Sequence, residues 1–441
     1  MTKFTRLLGL AVILTFPLAG FSLADESDVA ALRDEIRQLN NKVVSLERQV
    51  QTAAASHVET ATPYAAAPSG GGLLHTKQDI NFTGYVESQF NENFSSKTAN
   101  AGANRYRAFD SNENTFTVNQ IDLDFSKEAN PEGGAGFNAE ILAGEDAGVI
   151  NAATTGSTGV GAAGLADRIT FLNAYAQLVA PLKFLEGNDL LGHTIDFKMG
   201  RFVTLAGAEV VRSPDNWNVS RSLLFNLAEP VTHTGLRATY KLLQDKVTTY
   251  WGVNNGWDEA IDNNTFKTFE WGIGANPLEK VSVSSAVYYG PERAQTEGHK
   301  RFLWSNVIGW DATDKLSLKA ALDLGNERRV PGLASTNEPF LNTHWWGIAG
   351  YGRYAMTDKW GLVSRIEYFR DQDFYRTGLA NGGVTGQADS VFELTVGTDY
   401  KLYDNLISRF EYRWDKADAN NAFSGQASQS TVGAQVIYSF A

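Results

Sequence analysis

The chain has 441 residues and carries 38 Lys plus Arg against 50 Asp plus Glu, a formal charge of −12; that balance excludes a nucleic-acid binder, which needs a basic face. Cysteine is absent, which excludes disulfides, thiolate metal sites, a cysteine nucleophile and a lipidated N-terminal cysteine. Aromatics make up 12% of residues and glycine numbers 41. With a negative mean hydropathy, this suits a large β-protein and not a bundle of membrane helices.

Lys3 and Arg6 precede the apolar run 7–21, and Ser22-Leu23-Ala24 forms a small-x-small cleavage site. The pattern predicts a signal peptide over 1–24 and an exported chain starting at Asp25. Its removal leaves 36 positive against 50 negative residues, or −14. No later run reaches the ~18 apolar residues of a spanning helix.

Residues 25–52 carry a heptad. Val29, Leu32, Ile36, Leu39, Val43, Leu46 and Val50 are spaced alternately by three and four. They read as a and d positions of a parallel coiled coil, with Asp28/Arg33 and Lys42/Glu47 of opposite sign beside the seam. β-branched residues at a and leucine at d favour two strands. The segment is also a candidate contact for the cell wall or a periplasmic partner. Residues 53–79, rich in Ala, Ser and Thr and containing Ser69-Gly70-Gly71-Gly72, read as a flexible linker.

From residue 80 to 441 the period is two. Ile121, Leu123 and Phe125 alternate with Gln120, Asp122 and Asp124, and Phe410, Tyr412 and Trp414 with Arg409, Glu411 and Arg413. Sixteen strands are expected, starting near 80, 116, 135, 168, 193, 232, 246, 267, 280, 301, 315, 343, 360, 389, 406 and 430. Tight turns such as Gln244-Asp245-Lys246 and Thr357-Asp358-Lys359 alternate with long polar loops such as 255–267 and 372–388. That alternation, with ring-bearing residues near both strand ends, predicts an all-β fold: a 16-stranded antiparallel transmembrane barrel preceded by a short coiled coil.

The stretch Met199-Gly200-Arg201-Phe202-Val203-Thr204, followed by Asn218-x-Ser220-Arg221-Ser222-Leu223-Leu224-Phe225, Glu229-Pro230 and His233-Thr234-Gly235, resembles the OmpL-like β-barrel porin-2 family. Asn255-Gly256-Trp257-Asp258 continues the likeness, and the phosphate-selective porins resemble the chain more loosely. The resemblance implies a bacterial outer-membrane porin. Such barrels usually finish on an aromatic residue; here Phe440 is followed by Ala441.

Other motifs carry less. Gly159–Gly164 matches G-x-G-x-x-G, but it lies in a Gly/Ala/Thr-rich loop, 147–166, without the strand and helix that dinucleotide binding needs. The six histidines show no metal-ligand spacing, and no G-x-S-x-G marks a hydrolase. Asp258, Glu259 and Asp262 crowd one loop and read as a solvated acidic surface before a calcium site. No cofactor, metal or covalent chemistry is expected.

Strand charges carry the most. Asp122, Asp124, Glu140, Lys198, Arg237, Lys241, Lys319, Arg353, Arg365, Glu367, Glu393, Arg409, Glu411 and Arg413 fall opposite the apolar stripe. In a barrel they line the lumen, where water is expected to solvate them; facing lipid they would cost a few kcal/mol each. The third long loop, 203–231, is unusually apolar, holding Trp217, Leu223, Leu224, Phe225 and Leu227. Burial of that patch predicts an inward fold, with Glu209, Arg212, Asp215, Arg221 and Glu229 at a pore constriction. The reading is passive diffusion of small hydrophilic solutes and ions through an outer-membrane barrel in contact with lipid. A homo-oligomer is expected, a trimer before a dimer. The alternative is a barrel that anchors a tether formed by 25–52; an outer-membrane hydrolase ranks below it.

Overall fold

The computed structural model describes residues 80–95, 104–154, 168–185, 190–331, 340–380, 388–423 and 425–440. The signal-peptide, coiled-coil and linker readings, and the glycine run at 159–164, lie outside them. The wall begins with β1 (Asn81–Asn93), β2 (Thr115–Lys127), β3 (Gly134–Ala143), β4 (Ile169–Pro181), β5 (Leu191–Val203), β6 (Thr232–Leu242), β7 (Val247–Asn254) and β8 (Thr268–Leu278). It continues with β9 (Val281–Pro291), β10 (Lys300–Asp311), β11 (Leu316–Pro331), β12 (Phe340–Ala355), β13 (Trp360–Asp371), β14 (Ser390–Tyr403), β15 (Leu406–Ala417) and β16 (Ser428–Phe440). Each start lies within three residues of its expected position.

Every strand pairs antiparallel with its sequence neighbours, and the sheet closes on itself. The seam joins β1 to β16, from Gly84 opposite Phe440 to Asn93 opposite Thr431. Closure leaves no strand edge unpaired, which a wall in hydrocarbon requires. Side-chain alternation fixes which face is which. On β13, Leu362 and Ile366 are exposed while Arg365 and Glu367 are buried; on β14, Leu394 and Val396 are exposed while Glu393 and Thr395 are buried. An apolar outside around a charged inside inverts a soluble protein and matches a barrel in lipid.

Connections differ by end. Residues 243–246, 279–280, 312–315, 356–359 and 404–405 form tight turns, whereas the strand ends at the opposite rim are joined by much longer connections, 204–231 and 255–267 among them. The Gly/Ala/Thr-rich loop, expected to lack a helix, holds α1 (Glu145–Thr154). Its apolar periodicity is weak, but Ala147 and Ile150, one turn apart, pack with Leu142, Leu172, Val211 and Phe225, and Glu145 and Asp146 sit at its positive end. A second helix, α2 (Tyr375–Ala380), lies between β13 and β14.

Ring placement is asymmetric. Trp271, Tyr289, Trp304, Trp310, Tyr354, Trp360, Tyr400 and Tyr412 are exposed on strands from β8 onward. Strands β1 to β5 contain no tryptophan. Their two tyrosines turn inward, Tyr85 donating to Gln120 at 2.5 Å and Tyr175 lying under the Lys198 ammonium.

Candidate functional site

The loop between β5 and β6, residues 204–231, lies on the inner face of the wall. Its entry is fixed by Tyr288 of β9, whose hydroxyl accepts from Leu205 N at 2.9 Å and lies 3.0 Å from Thr204 Oγ1. Gly207, at φ +88, donates its N–H to Ser305 Oγ of β10 at 3.0 Å. Glycine is needed there, because a side chain would run into the Glu229 carboxyl. A short 3-10 turn, Ser213–Asp215, follows, with Pro214 in its first turn. Ser213 Oγ donates to Glu87 at 2.7 Å, and Arg409 of β15 donates to Ser213 O at 2.8 Å.

Wall carboxylates then receive the loop's backbone. Glu411 accepts from Val219 N at 2.7 Å and Ser220 N at 3.1 Å. Glu367 accepts from Leu223 N at 2.9 Å and Leu224 N at 3.2 Å. Charge-assisted bonds of this kind are roughly twice as strong as neutral ones. A π-helical turn, Leu224–Ala228, buries Leu224, Phe225 and Leu227. Its last carbonyls accept from Trp345 Nε1 (Ala228 O, 3.3 Å) and from Arg376 Nε of α2 (Leu227 O). Other loops enter the same space: Arg107 pairs with Asp110 at 2.9 Å and with Asp415 of β15 at 2.6 Å.

These contacts correct one expectation. Arg365, Glu367, Glu393, Glu411 and Arg413 are at most 3% exposed, so water does not solvate them; the loop and their mutual pairing do. Arg365 is the hub. Its guanidinium lies 3.1 Å from Glu367, 3.1 Å from Glu393 and 2.8 Å from Glu209 of the loop, and donates to Ser220 O at 2.8 Å. Arg413 pairs with Asp415 at 2.8 Å and reaches Glu393 at 3.8 Å. Elsewhere Arg237 pairs with Glu270 at 2.5 Å, Arg353 with Asp399 at 2.9 Å, and Lys241, near the short-turn rim, with Asp245 at 3.4 Å. Asp122 and Glu140 are buried on β2 and β3, and Asp124 accepts from Asn138 at 2.7 Å. Two lysines rest on rings instead: Lys198 at 4.7 Å from the Tyr175 centroid and Lys319 at 4.4 Å from that of Trp217.

The five loop charges separate by role. Glu209 caps Ser222 N at 2.6 Å while holding Arg365. Arg221 is buried and turned into the loop itself, donating to Val210 O at 2.9 Å and Val211 O at 2.6 Å. Arg212 keeps 34% of its side chain exposed, between Glu140 at 3.6 Å and Asp215 at 3.5 Å. Burial pushes the Asp215 carboxyl up from its ordinary value, and Arg212 opposes that. Glu229 is buried beside Asp323 of β11. Near the short-turn end of β7 to β10, a hollow of about 290 Å³ is lined by Thr248, Tyr250, Gly274, Ser282, Ser284 and Val307.

The acidic loop at 258–262 is partly structural. Asp258 Oδ1 accepts from Val231 N and Thr232 N at 3.0 and 2.8 Å. Burial, then Asp258, pushes Glu259 up to about 7. Among the described residues no cluster of three or more His, Asp or Glu is arranged to hold a metal.

Asp323, Glu87, Glu270 and Asp415 escaped the sequence reading, although the same period places them: Asp323 stands between Leu322 and Leu324 as Glu411 stands between Phe410 and Tyr412.

No curated protein matches the chain. Solved structures share its fold at low identity. The outer membrane channel DcaP of Acinetobacter baumannii aligns with TM-score 0.57 at 13% identity, over 84% of this chain and 100% of that one. Pseudomonas putida OprB aligns with TM-score 0.53 at 12% identity, over 82% and 94%. A trimer form of OmpT, an outer membrane protein of Vibrio cholerae, aligns with TM-score 0.50 at 13% identity, over 82% and 98%. The family model described as "Putative beta-barrel porin-2, OmpL-like" matches residues 79–440. This is a family of channels and not of enzymes, and the chain belongs to it: an OmpL-like β-barrel porin-2 protein of outer-membrane type.

Proposed function

We propose that the barrel admits small hydrophilic solutes and ions by passive diffusion across the outer membrane. The observation that carries this is the charged inner wall of a closed sheet whose outside is apolar, with loop 204–231 bonded to that wall. No covalent chemistry enters. The loop sets the narrowest level. Arg212 and Asp215, the two loop charges that keep a third or more of their side chains exposed, are the ones a passing ion meets. Glu209, Arg221 and Glu229 hold the loop's shape around them. Purified protein reconstituted in a planar bilayer should give discrete open-channel steps; a folded barrel that stays silent at every voltage overturns the proposal.

The same barrel is proposed to work as a homo-oligomer, a trimer before a dimer. Tryptophan and tyrosine gather at lipid headgroups, and the outside of β1 to β5 has neither. Ala135, Ala139 and Ala143 of β3 pair with Leu178, Ala174 and Ile169 of β4, a surface shallow enough for close approach of a second copy. One OmpT form with this fold is a trimer. Replacing Ala139 and Ala174 together by Trp should shift the cross-linked species to monomer while the heat-resistant fold of each barrel survives. An unchanged oligomer would place the interface on other strands.

A further inference from the structure

Loop 204–231 turns back toward β6 through the π-helical turn Leu224–Ala228. The last carbonyls of a helix have no partner within it. Here water does not serve them either, since Leu227 and Ala228 are 2% and 0% exposed. Two donors meet them instead. Trp345 of β12 gives its indole N–H to Ala228 O at 3.3 Å, and Arg376 gives its Nε–H to Leu227 O. The first donor belongs to the wall. The second comes from α2, in the connection between β13 and β14, and a cationic side chain is well suited to the end of a helix.

Arg376 is itself placed from several sides. Asp371, the last residue of β13, accepts from Arg376 N and Thr377 N at 2.7 Å each. Tyr375 donates its hydroxyl hydrogen to Glu327 of β11 at 2.8 Å and accepts from Arg301 of β10 at 2.9 Å. The Arg376 guanidinium lies beside two indoles, 5.4 Å from the Trp345 ring centre and 5.6 Å from that of Trp257. Trp257 is held in turn by its backbone N–H, which donates to Glu292 at 2.6 Å. Arg301 rests on the same Trp257 ring at 4.6 Å but is paired with Glu327 at 2.5 Å. Arg376 instead spends its side chain on a carbonyl and two rings. A planar, delocalised cation suits a slot between indoles, and an ammonium does not replace it.

We propose that Arg376 is a positioning residue for passage: from α2 it holds the returning limb of loop 204–231 against the wall, and so sets how much of the bore the loop leaves open. The seating of the limb stands on the contacts alone; its effect on passage rests on the porin reading.

The chain has no cysteine, so Ala228→Cys adds a single thiol at a buried point of the limb with little change of volume. Its reaction with a water-soluble maleimide reports release of the limb. Rates are compared in purified, folded barrel at the same pH, with Arg376 intact and in an Arg376→Ala background. Loss of a hydrogen bond from a charged donor should raise the rate about tenfold or more. Ethylguanidinium supplies the atoms that Arg376→Ala removes and should return the rate toward the parent's. Ethylammonium, a cation without the planar fork, should not. If Arg376→Ala fails to fold, Arg376→Lys takes its place and should raise the rate to a smaller extent. In a planar bilayer the Arg376→Ala step should exceed the parent's and shrink again with ethylguanidinium. An unchanged labelling rate in the variant used overturns the proposal. So does a raised Arg376→Ala rate that ethylguanidinium leaves as it is, because that marks a general loosening of the limb. Restored labelling in a barrel that never conducts leaves the seating of the limb and overturns the porin reading.

Discussion

Arg365→Leu should release loop 204–231 from the wall without unfolding the barrel. Arg365 is buried and faces three carboxylates, Glu209, Glu367 and Glu393, at 2.8 to 3.1 Å. Removing the shared cation leaves three acids packed together in a site with little water. Breaking a buried pair in this way costs about 3–5 kcal/mol; Glu367 and Glu393 belong to the wall and Glu209 to the loop, and unseating the loop lets water reach all three acids. Barrel pairing does not pass through Arg365's side chain; its backbone pairs with Tyr351 and Thr395 and is untouched. The consequences separate cleanly. The variant should keep its heat-resistant migration, become cleavable by protease within 204–231, and conduct in larger steps. Arg365→Lys should rescue only in part, because a single ammonium cannot fork between Glu209 and Glu393 while also reaching Ser220 O. A variant whose loop resists protease as the parent does would show that Glu411 and the apolar contacts of Leu223 and Leu224 suffice.

The wall was legible because its physics is local. One face of each strand must satisfy lipid and the other must not, and a period of two writes that demand into neighbouring residues such as Leu394, Thr395 and Val396. Turn length added the alternation of rims. What the inner charges do was not legible, because their partners are remote in sequence: Glu411 finds Val219, Arg365 finds Glu209, and Arg107 finds Asp415. A charge opposite an apolar stripe reads as solvated whether water or a loop covers it. Arg212 and Arg221 show the same limit within one loop. Both are arginines nine residues apart in a segment with the same composition, yet one is half open and the other spends its donors on carbonyls at 210 and 211. The helix α1 was hidden for another reason: Ala147 and Ile150 are buried and Val149 partly so, too few apolar contacts to mark a period.

That difference decides how charge reversal in the loop should read out. Reversing both arginines together would confound two effects. Arg221→Glu removes the donors that close the loop on Val210 O and Val211 O and sets a carboxylate against those same carbonyls. The expected result is a disordered loop with protease sites exposed, and a change in conductance rather than in ion preference. Arg212→Glu keeps the loop's frame, since no backbone group of the loop depends on its side chain, and reverses the sign of a half-exposed charge beside Glu140 and Asp215. In a water-like dielectric a unit charge about 8 Å from a passing ion contributes about 0.5 kcal/mol, so reversal is worth about 1 kcal/mol, or about fivefold for one ion. The reversal potential in a salt gradient should therefore move toward the cation side with the single-channel step little altered. The charge acts on a passing ion at short range, which outweighs the chain's summed −12 because distant surface charges are screened within about 10 Å at 0.1 M salt. An unmoved reversal potential in Arg212→Glu, with the loop still protected from protease, would place the selective level away from Arg212 and toward the lysines that rest on rings, Lys319 over Trp217 and Lys198 over Tyr175.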